Sequence, residues 1–136
     1  MTDIERRIHA SFARQTMMQT LGAELAEVGE GRVTITAPIL PSVLQQHGAG
    51  HAGLTFSLGD SAAGYAALTM LREGAEVMTV EMKINLMSPA IGDRLVAEGQ
   101  VVRAGRRITV VAADVWVETG GPRKHVALLQ GTMIAV

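Results

Sequence analysis

Apolar and polar residues alternate along the second half of the chain, which is the pattern of half-buried β-strands. Four such runs follow Gly74, at residues 77–87, 95–103, 108–118 and 124–135. In the first run, two sets of residues should face opposite sides of a sheet: Val80, Met82, Ile84 and Leu86 on one face, and Thr79, Glu81, Lys83 and Asn85 on the other. Short turns rich in Gly or Pro separate the runs and predict antiparallel pairing.

The first half of the chain predicts a helix, one hairpin and a second, longer helix. Asp3 can cap a first helix that ends near Gly22, because apolar residues recur in it at helical spacing. A turn at residues 29–31 precedes a strand with alternating apolar positions, and Pro38 ends that strand. After a loop, residues 51–73 read as a helix that is poor in charge and rich in small side chains.

This order of elements predicts a fold class. A single antiparallel sheet has one face to cover, and residues 51–73 form the only long apolar helix available to cover it. Gly53, Gly59 and Gly64 each cost that helix about 1 kcal/mol relative to Ala, so other parts of the chain should approach it closely. We predict an α+β fold, an antiparallel sheet wrapped around one long central helix, in a single domain over residues 1–136.

Composition excludes several classes of protein. The 136 residues include no cysteine, which removes disulfides, thiolate metal sites and cysteine nucleophiles. A formal net charge of −1 supplies no field that would attract nucleic acid or an anionic membrane. The longest apolar stretch, residues 52–71, is interrupted by Asp60 and three glycines, and the N-terminus has no signal-peptide pattern. We expect a cytoplasmic protein with neither nucleic-acid nor membrane partners.

Asp60 is the only charged residue between His51 and Arg72. A carboxylate in the middle of an apolar helix is costly to bury unless it is hydrogen-bonded or functional. Hydrogen bonds from Ser57 or Ser61, or access to solvent through a gap, would explain it without any catalytic role. The residues alone leave the structural and the catalytic explanation equally open.

The start of the same helix is a second candidate for chemistry. The first backbone N–H groups of a helix are unpaired, so the amides of Ala52 and Gly53 could stabilise charge on a carbonyl oxygen. Ala52 precedes Asp60 by eight positions, roughly 12 Å along one helix axis. Both groups cannot touch the same carbonyl carbon. If both are catalytic, they come from different subunits, and the protein is at least a homodimer.

Two other kinds of hydrolytic site are not supported. His47 and His51 are four positions apart, but no acidic residue lies near them and the segment reads as a loop, so no metal is predicted. The serines of the long helix lack the Gly-x-Ser-x-Gly context of serine hydrolases. No cofactor is predicted either.

Several separated motifs together resemble one family. They are Gln-Gln-His-Gly-Ala-Gly-His-Ala-Gly at 45–53, Asp-Ser-Ala at 60–62 with Gly64, the run from Thr79 to Pro89 with Gly92-Asp93, Gly105-Arg106, and Val126-Ala127 with Gly131-Thr132. They resemble hotdog-fold acyl-CoA thioesterases, closest to the phenylacetate-degradation type and its 4-hydroxybenzoyl-CoA thioesterase relatives. The resemblance covers roughly residues 10 to 135.

The resemblance implies hydrolysis of an acyl-CoA thioester to free acid and coenzyme A. Asp60 falls at the catalytic carboxylate, which acts as general base or nucleophile. Ala52 falls where a backbone amide polarises the thioester carbonyl. His51, directly before it, is a further catalytic candidate as a proton carrier, with a helix-start and loop-packing role as the alternative. Gln45 falls at the polar position that holds substrate or water, and Thr79 at a small hydroxyl near the reacting water. The chain departs from the family pattern at Ala52, where Gly is usual, and at Gln45, where Asn is commoner.

Further residues are expected to contact the substrate. These candidates are Gly53, Ser61, Thr79, Val80 and Glu81 beside the catalytic positions, and Arg103 and Arg106 for the phosphates of coenzyme A. Arg107 in the same basic turn, or Arg123 and Lys124 in the next one, are the alternatives for the phosphates. The resemblance also implies dimers that pair side by side, often again into tetramers, with coenzyme A along a subunit boundary. A homodimer or homotetramer is therefore expected.

Two alternative functions share this fold. A hotdog hydratase or dehydratase would need a His paired with an acid across the helix, and the chain has no such pair in the right run. A non-catalytic acyl-CoA-binding or sensor protein would have no need for a buried carboxylate. The sequence leaves open which acyl group is bound, and whether coenzyme A or a carrier protein holds it.

Overall fold

A computed structural model describes all 136 residues. The elements in chain order are α1 (Asp3–Ala13), α2 (Thr16–Thr20), β1 (Glu24–Gly29), β2 (Arg32–Pro38), α3 (Ala52–Leu68), β3 (Val77–Leu86), β4 (Arg94–Ala104), β5 (Ile108–Glu118) and β6 (Arg123–Ala135). The four predicted strands of the second half are all present, and the bounds of β5 match the alternating run at 108–118. The long helix lies between the first hairpin and these strands, as predicted.

The six strands form one antiparallel sheet in the order β1-β2-β4-β5-β6-β3. β3 follows α3 in the chain but lies at the edge of the sheet, where it pairs only with β6. α3 packs across the inner face, against β2, β3, β4, β5 and β6. The prediction of an antiparallel sheet wrapped around one central helix is therefore confirmed.

Glycines allow the sheet and α3 to approach one another closely. A Cβ at Gly59 of α3 would lie 2.8 Å from Leu129 Cδ2 of β6, closer than carbon atoms pack. A Cβ at Gly99 of β4 would collide with the backbone of Ala62 in α3. The expectation that other parts of the chain pass close to this helix is thus confirmed for Gly59, while Gly99 supplies the same contact from the sheet side.

The first helix differs from its prediction. Thr2, rather than Asp3, is the N-cap: its side chain accepts from the backbone N–H of Glu5, and the Glu5 carboxylate accepts from the backbone N–H of Thr2. This capping box satisfies two unpaired N–H groups, whereas Asp3 as a cap would satisfy one. The helix also stops at Ala13 and restarts as α2 at Thr16, instead of continuing to Gly22.

α3 is shorter at its carboxyl end than the predicted range of 51–73. It ends at Leu68 because the buried Thr69 hydroxyl donates to the carbonyl of Ala66 and accepts from the N–H of Gly31 in the β1–β2 turn. The Arg7 guanidinium of α1 donates to the carbonyls of Leu68 at 2.6 Å and Leu71 at 3.1 Å. These bonds satisfy carbonyls that have no partner within the helix. None of the helices has the length and apolarity that crossing a lipid bilayer requires.

A β-bulge interrupts the alternation of β3. Thr79 pairs with Met133 and Glu81 pairs with Thr132, so Val80 is an extra residue without a partner on β6. The inserted residue reverses the alternation on its amino-terminal side, and Val80 is exposed to 57%. The prediction that Val80 shares a face with the core-packing Met82 is therefore wrong, and Thr79 turns towards α3 instead.

Candidate active site

Asp60 lies on the exposed side of α3, half-buried beneath the start of β3. The Thr79 hydroxyl donates to its Oδ1 at 2.8 Å. Burial raises the pKa of the Asp60 carboxyl above its ordinary value, and the hydrogen bond from Thr79 offsets part of that increase. A carboxylate with a raised pKa accepts a proton more readily, as a general base must.

The neighbouring serines do not bind this carboxylate. Ser57 donates to the backbone carbonyl of Gly53 at 2.7 Å, and Ser61 donates to the side-chain oxygen of Gln15 at 3.3 Å. The structural explanation that Asp60 is satisfied by Ser57 or Ser61 is therefore wrong. The partner is Thr79, which the bulge at Val80 directs towards the helix.

Asp60 and Thr79 open onto a groove of about 400 Å³, which we call the carboxylate groove. It is lined from α1, α3, β3 and β6, and its residues include Ser11, Arg14, Gln15, Asp60, Ser61, Gly64, Tyr65, Leu68, Glu76, Val77, Thr79 and Met133. The members on α3 recur at helical spacing, so the groove follows one face of that helix from Asp60 towards its carboxyl end.

At the amino end of α3 the two candidate amides differ in availability. His51 is the N-cap, and its Nδ1 accepts from the N–H of Gly53 at 2.7 Å. The N–H of Ala52 has no acceptor within the chain, because it belongs to the first helical residue. Ala52 therefore offers the free donor for a carbonyl oxygen, and His51 serves as a cap.

Gln45 lies beside this helix start with its side chain fixed by its own loop. Its Oε1 accepts from the N–H of His47 at 2.5 Å and from the N–H of Ala49 at 3.3 Å. The amide NH2 of Gln45 is then left as a donor. Gln45, His51 and Ala52 line one groove of about 460 Å³ together with residues 86–90, which we call the helix-start groove.

Within one chain the predicted catalytic residues fall into these two separate groups. The carboxylate groove and the helix-start groove have no lining residue in common. Asp60, Ser61 and Thr79 line the first, and Gln45, His51 and Ala52 line the second. The separation agrees with the roughly 12 Å that eight residues span along a helix axis.

Several predicted substrate-binding residues line neither groove. Glu81 accepts a hydrogen bond from Thr132 at 2.6 Å, and Val80 is exposed at the bulge. Arg103 and Arg106 are exposed at the β4–β5 turn and form no ion pair within the chain. The single chain therefore does not bring these residues together with Asp60.

One part of the carboxylate groove was missed by sequence reasoning. Gln15 Nε2 donates to the Tyr65 hydroxyl at 3.0 Å, Ser11 Oγ lies 3.1 Å from the same hydroxyl, and Ser61 donates to Gln15 Oε1. These bonds join residues 46 to 54 positions apart in the chain, so no local spacing connects them. Only the docking of α1 against α3 reveals that they form one wall.

The chain matches the thioesterase superfamily over residues 47–123 and belongs to that family. This match includes the helix start, Asp60 and the bulged strand. It confirms the family and the hotdog fold expected from the motifs, and it places the protein among enzymes that hydrolyse thioesters.

Individual relatives are similar over nearly the whole chain. The acyl-coenzyme A thioesterase PaaI of Escherichia coli is 27% identical over 124 residues, which are 90% of this chain and 84% of that protein. The solved structure of a thioesterase family protein from Silicibacter pomeroyi is 38% identical, with a TM-score of 0.95 and 98% of both chains covered. The solved structure of the Escherichia coli PaaI protein is 25% identical, with a TM-score of 0.89, covering 98% of this chain and 93% of that one.

Proposed function

We propose that this protein hydrolyses acyl-CoA thioesters, with Asp60 as the catalytic carboxylate of a single thioesterase domain over residues 1–136. The observation that carries the proposal is the state of Asp60: a half-buried carboxyl with a raised pKa, oriented by Thr79 and facing a groove. Support for coenzyme A as the carrier comes from the relative named an acyl-coenzyme A thioesterase.

We propose further that each active site combines two subunits. Asp60 and the free N–H of Ala52 lie in different grooves of one chain, so neither groove alone contains both a base and an oxyanion donor. β3 is an edge strand and leaves one row of backbone groups unpaired. Antiparallel pairing of β3 with a second copy of itself would satisfy those groups and form a symmetric dimer.

Such a pairing would bring the two grooves together. If two copies pair about Lys83, so that the two Lys83 residues lie opposite each other, the extra residue Val80 places Thr79 of one copy opposite Leu86 of the partner subunit. Thr79 borders the carboxylate groove and Leu86 borders the helix-start groove. Each of the two resulting sites then contains Asp60 from one subunit and Ala52 from the other.

In this site the thioester carbonyl oxygen accepts a hydrogen bond from the N–H of Ala52. The side-chain NH2 of Gln45 donates a hydrogen bond to the substrate or to the attacking water. Asp60 removes a proton from water, whose oxygen bonds to the carbonyl carbon while negative charge develops on the carbonyl oxygen. The tetrahedral intermediate then collapses, the carbon–sulfur bond breaks, and the coenzyme A thiolate leaves and takes up the proton that Asp60 removed from water. Direct attack by Asp60 would instead displace the thiolate and form a mixed anhydride, which water hydrolyses. A single turnover in ¹⁸O-labelled water distinguishes the two routes, because water attack on the thioester labels the product acid whereas water attack on the Asp60 carboxyl carbon labels Asp60.

We assign the phosphates of coenzyme A to Arg103 and Arg106 at the β4–β5 turn. Both side chains are exposed and form no ion pair within the chain, so both are free to bind a phosphate. Replacement of either arginine by Ala should raise KM and leave kcat unchanged, because the phosphates are distant from the thioester.

The test of the proposed function is release of free thiol from aryl and aliphatic acyl-CoAs by wild-type protein and by Asp60→Asn. Asn keeps the size of the side chain and can still accept from Thr79, but it cannot take a proton. We expect kcat to fall at least about 100-fold for the variant. Glu30→Gln, which removes an exposed carboxylate in the β1–β2 turn, is the matched control and should keep wild-type activity.

Two results would contradict the proposal. Undiminished activity of a folded Asp60→Asn would remove Asp60 from the mechanism. Binding of acyl-CoA without hydrolysis of any thioester in the panel would favour the alternative of an acyl-CoA-binding sensor protein.

A further inference from the structure

Gly64 is the one glycine inside α3 whose presence the packing of the chain does not require. A Cβ at this position would lie 3.6 Å from Met133 Cε, which is an ordinary van der Waals contact. At Gly59, in contrast, a Cβ would lie 2.8 Å from Leu129. Glycine is the poorest helix former apart from proline, so Gly64 weakens α3 without allowing any contact within the chain.

The missing side chain leaves space in the carboxylate groove. Gly64 follows Asp60 by one helical turn and lines the same groove, with Leu68 one turn further on. A side chain at position 64 would project between Asp60 and the far end of the groove. The absence of a Cβ therefore keeps a path open along α3.

The polar side chains that line the carboxylate groove with Gly64 need no hydrogen-bond partner from a ligand. The hydroxyl of Tyr65 and the amide of Gln15 already bond to each other, and Ser11 and Ser61 complete the set. Because these polar groups satisfy one another, an apolar group can lie beside them without leaving donors unpaired.

The Arg14–Glu76 ion pair marks the end of the path. Arg14 Nη2 lies 3.4 Å from Glu76 Oε1, and both side chains line the carboxylate groove near Leu68. Beyond the pair lies a second groove of about 620 Å³ along α1, which shares Ser11, Arg14, Leu68 and Glu76 with the first. The Arg14 and Glu76 side chains are 67% and 56% exposed, so an apolar chain that extended past this point would remove water from two charged groups, which is unfavourable.

We propose that the acyl group lies along α3 from Asp60 over Gly64 to the Arg14–Glu76 pair, where Gly64 sets its width and the ion pair sets its length. This proposal rests on the proposed function, since it takes Asp60 as the position of the thioester carbon. Asp60 and Leu68 are eight residues apart, or roughly 12 Å along the helix axis. An extended chain advances roughly 3.5 Å for every three bonds, so the path holds about ten bonds. The acyl groups that fit best are unbranched chains of about eight to ten carbons and slender groups of equal length.

Binding of S-alkyl-CoA thioethers tests the path, because these compounds cannot be hydrolysed. Isothermal titration with ethyl-, hexyl-, decyl- and tetradecyl-CoA should show wild-type affinity rising up to about fourfold per methylene, then levelling near decyl. Gly64→Leu should retain the affinity for ethyl-CoA and lose most of the gain from hexyl to decyl. Gly64→Ala should lose a smaller part of that gain while raising the melting temperature, which separates obstruction of the path from misfolding.

Arg14→Ala tests the end of the path. It should move the plateau beyond decyl, so that tetradecyl-CoA binds more tightly than decyl-CoA. Arg94→Ala, which removes another surface arginine paired to a glutamate, is the matched control and should leave the plateau at decyl.

The outcomes are distinct from those of the thiol-release assay. Affinity that changes equally at all chain lengths in the Gly64 variants, or that does not change at all, would overturn the assignment of the acyl path. A plateau that Arg14→Ala does not move would overturn the ion pair as its end. The predicted chain-length dependence together with no hydrolysis of any acyl-CoA would instead refute the proposed catalytic function.

Discussion

Replacement of Ala52 by Pro removes the proposed oxyanion donor while keeping the start of α3. Ala52 is the first helical residue, the position at which proline is most readily accommodated in a helix, and its N–H has no acceptor in the chain to lose. His51 before it has φ −60° and ψ 143°, the extended backbone that a residue preceding proline adopts. The substitution therefore removes the proposed hydrogen bond to the substrate and no hydrogen bond within the chain.

Loss of one oxyanion donor typically costs about 100- to 1,000-fold in kcat, and we expect that range for Ala52→Pro. Ala52→Gly keeps the N–H and removes only the methyl group, so it should stay within a few-fold of wild type. Thiol release at saturating acyl-CoA measures both. Thermal unfolding of both variants checks that the helix start is intact.

A mixture of Ala52→Pro and Asp60→Asn chains shows whether the two groups act across subunits. Chains carrying different affinity tags are co-expressed, and the pool is assayed against each parent. In a random dimer mixture half of the dimers are mixed, and each has one site with both groups intact, so activity should return to about a quarter of wild type. Activity that stays at the mean of the two parents, with mixed dimers isolated by tandem purification, would refute a site shared between subunits.

Three further outcomes follow from the surroundings of Asp60 and from the helix glycines. The rate of hydrolysis should fall as pH drops through the raised pKa of Asp60. Thr79→Val should move this fall to higher pH, because the hydrogen bond from Thr79 lowers the pKa of Asp60. Measurement of kcat from pH 4 to 8 checks both outcomes. A carboxyl whose pKa is raised in the folded state stabilises that state fully at pH below its unfolded pKa, and this contribution is lost as pH rises through the folded pKa. Asp60→Asn should therefore have a higher melting temperature than wild type at pH 7, and the difference should shrink at acidic pH. A difference in melting temperature that does not change with pH would contradict this sign. Gly59→Ala should destabilise the fold by about 1–3 kcal/mol through its clash with Leu129, whereas Gly64→Ala should stabilise it by about 0.5–1 kcal/mol, as urea unfolding of the pair will show.

Local patterns predicted most of the fold. The alternation in residues 108–118 defines β5 in full. The apolar run with small residues locates the start of α3 to within one residue but overshoots its end by five. Sequence periodicity could not locate the bulge at Val80, because a bulge is a mismatch between two paired strands and only the register with β6 reveals it. For the same reason strict alternation places Thr79 on the face of Glu81 and does not predict that it turns towards Asp60.

Residues of the candidate site that belong to a sequence motif could be predicted, whereas those brought to the site by tertiary packing could not. Asp60 is conspicuous as a lone charge, and Ala52 lies in a motif that resembles the family pattern. The hydrogen bond from Gly53 to His51, which leaves only one of the two amides free, depends on the side-chain conformation of the cap. Gln15 belongs to the groove only because α1 docks beside α3, and nothing in its local sequence indicates this.

The docking of α1 on α3 also places part of the wall of the proposed acyl path on a different element from the proposed catalytic groups. The Arg7 guanidinium holds α1 against the carbonyl of Leu68 at the end of α3 and that of Leu71 beyond it. The same helix and its C-cap residue supply Ser11 and Arg14 to the groove wall. α1 lies outside the sheet and the helix that carry Asp60 and the amide of Ala52. Substitutions in α1 would therefore alter the wall of the proposed acyl path without altering the proposed catalytic groups, so evolution can change the two independently.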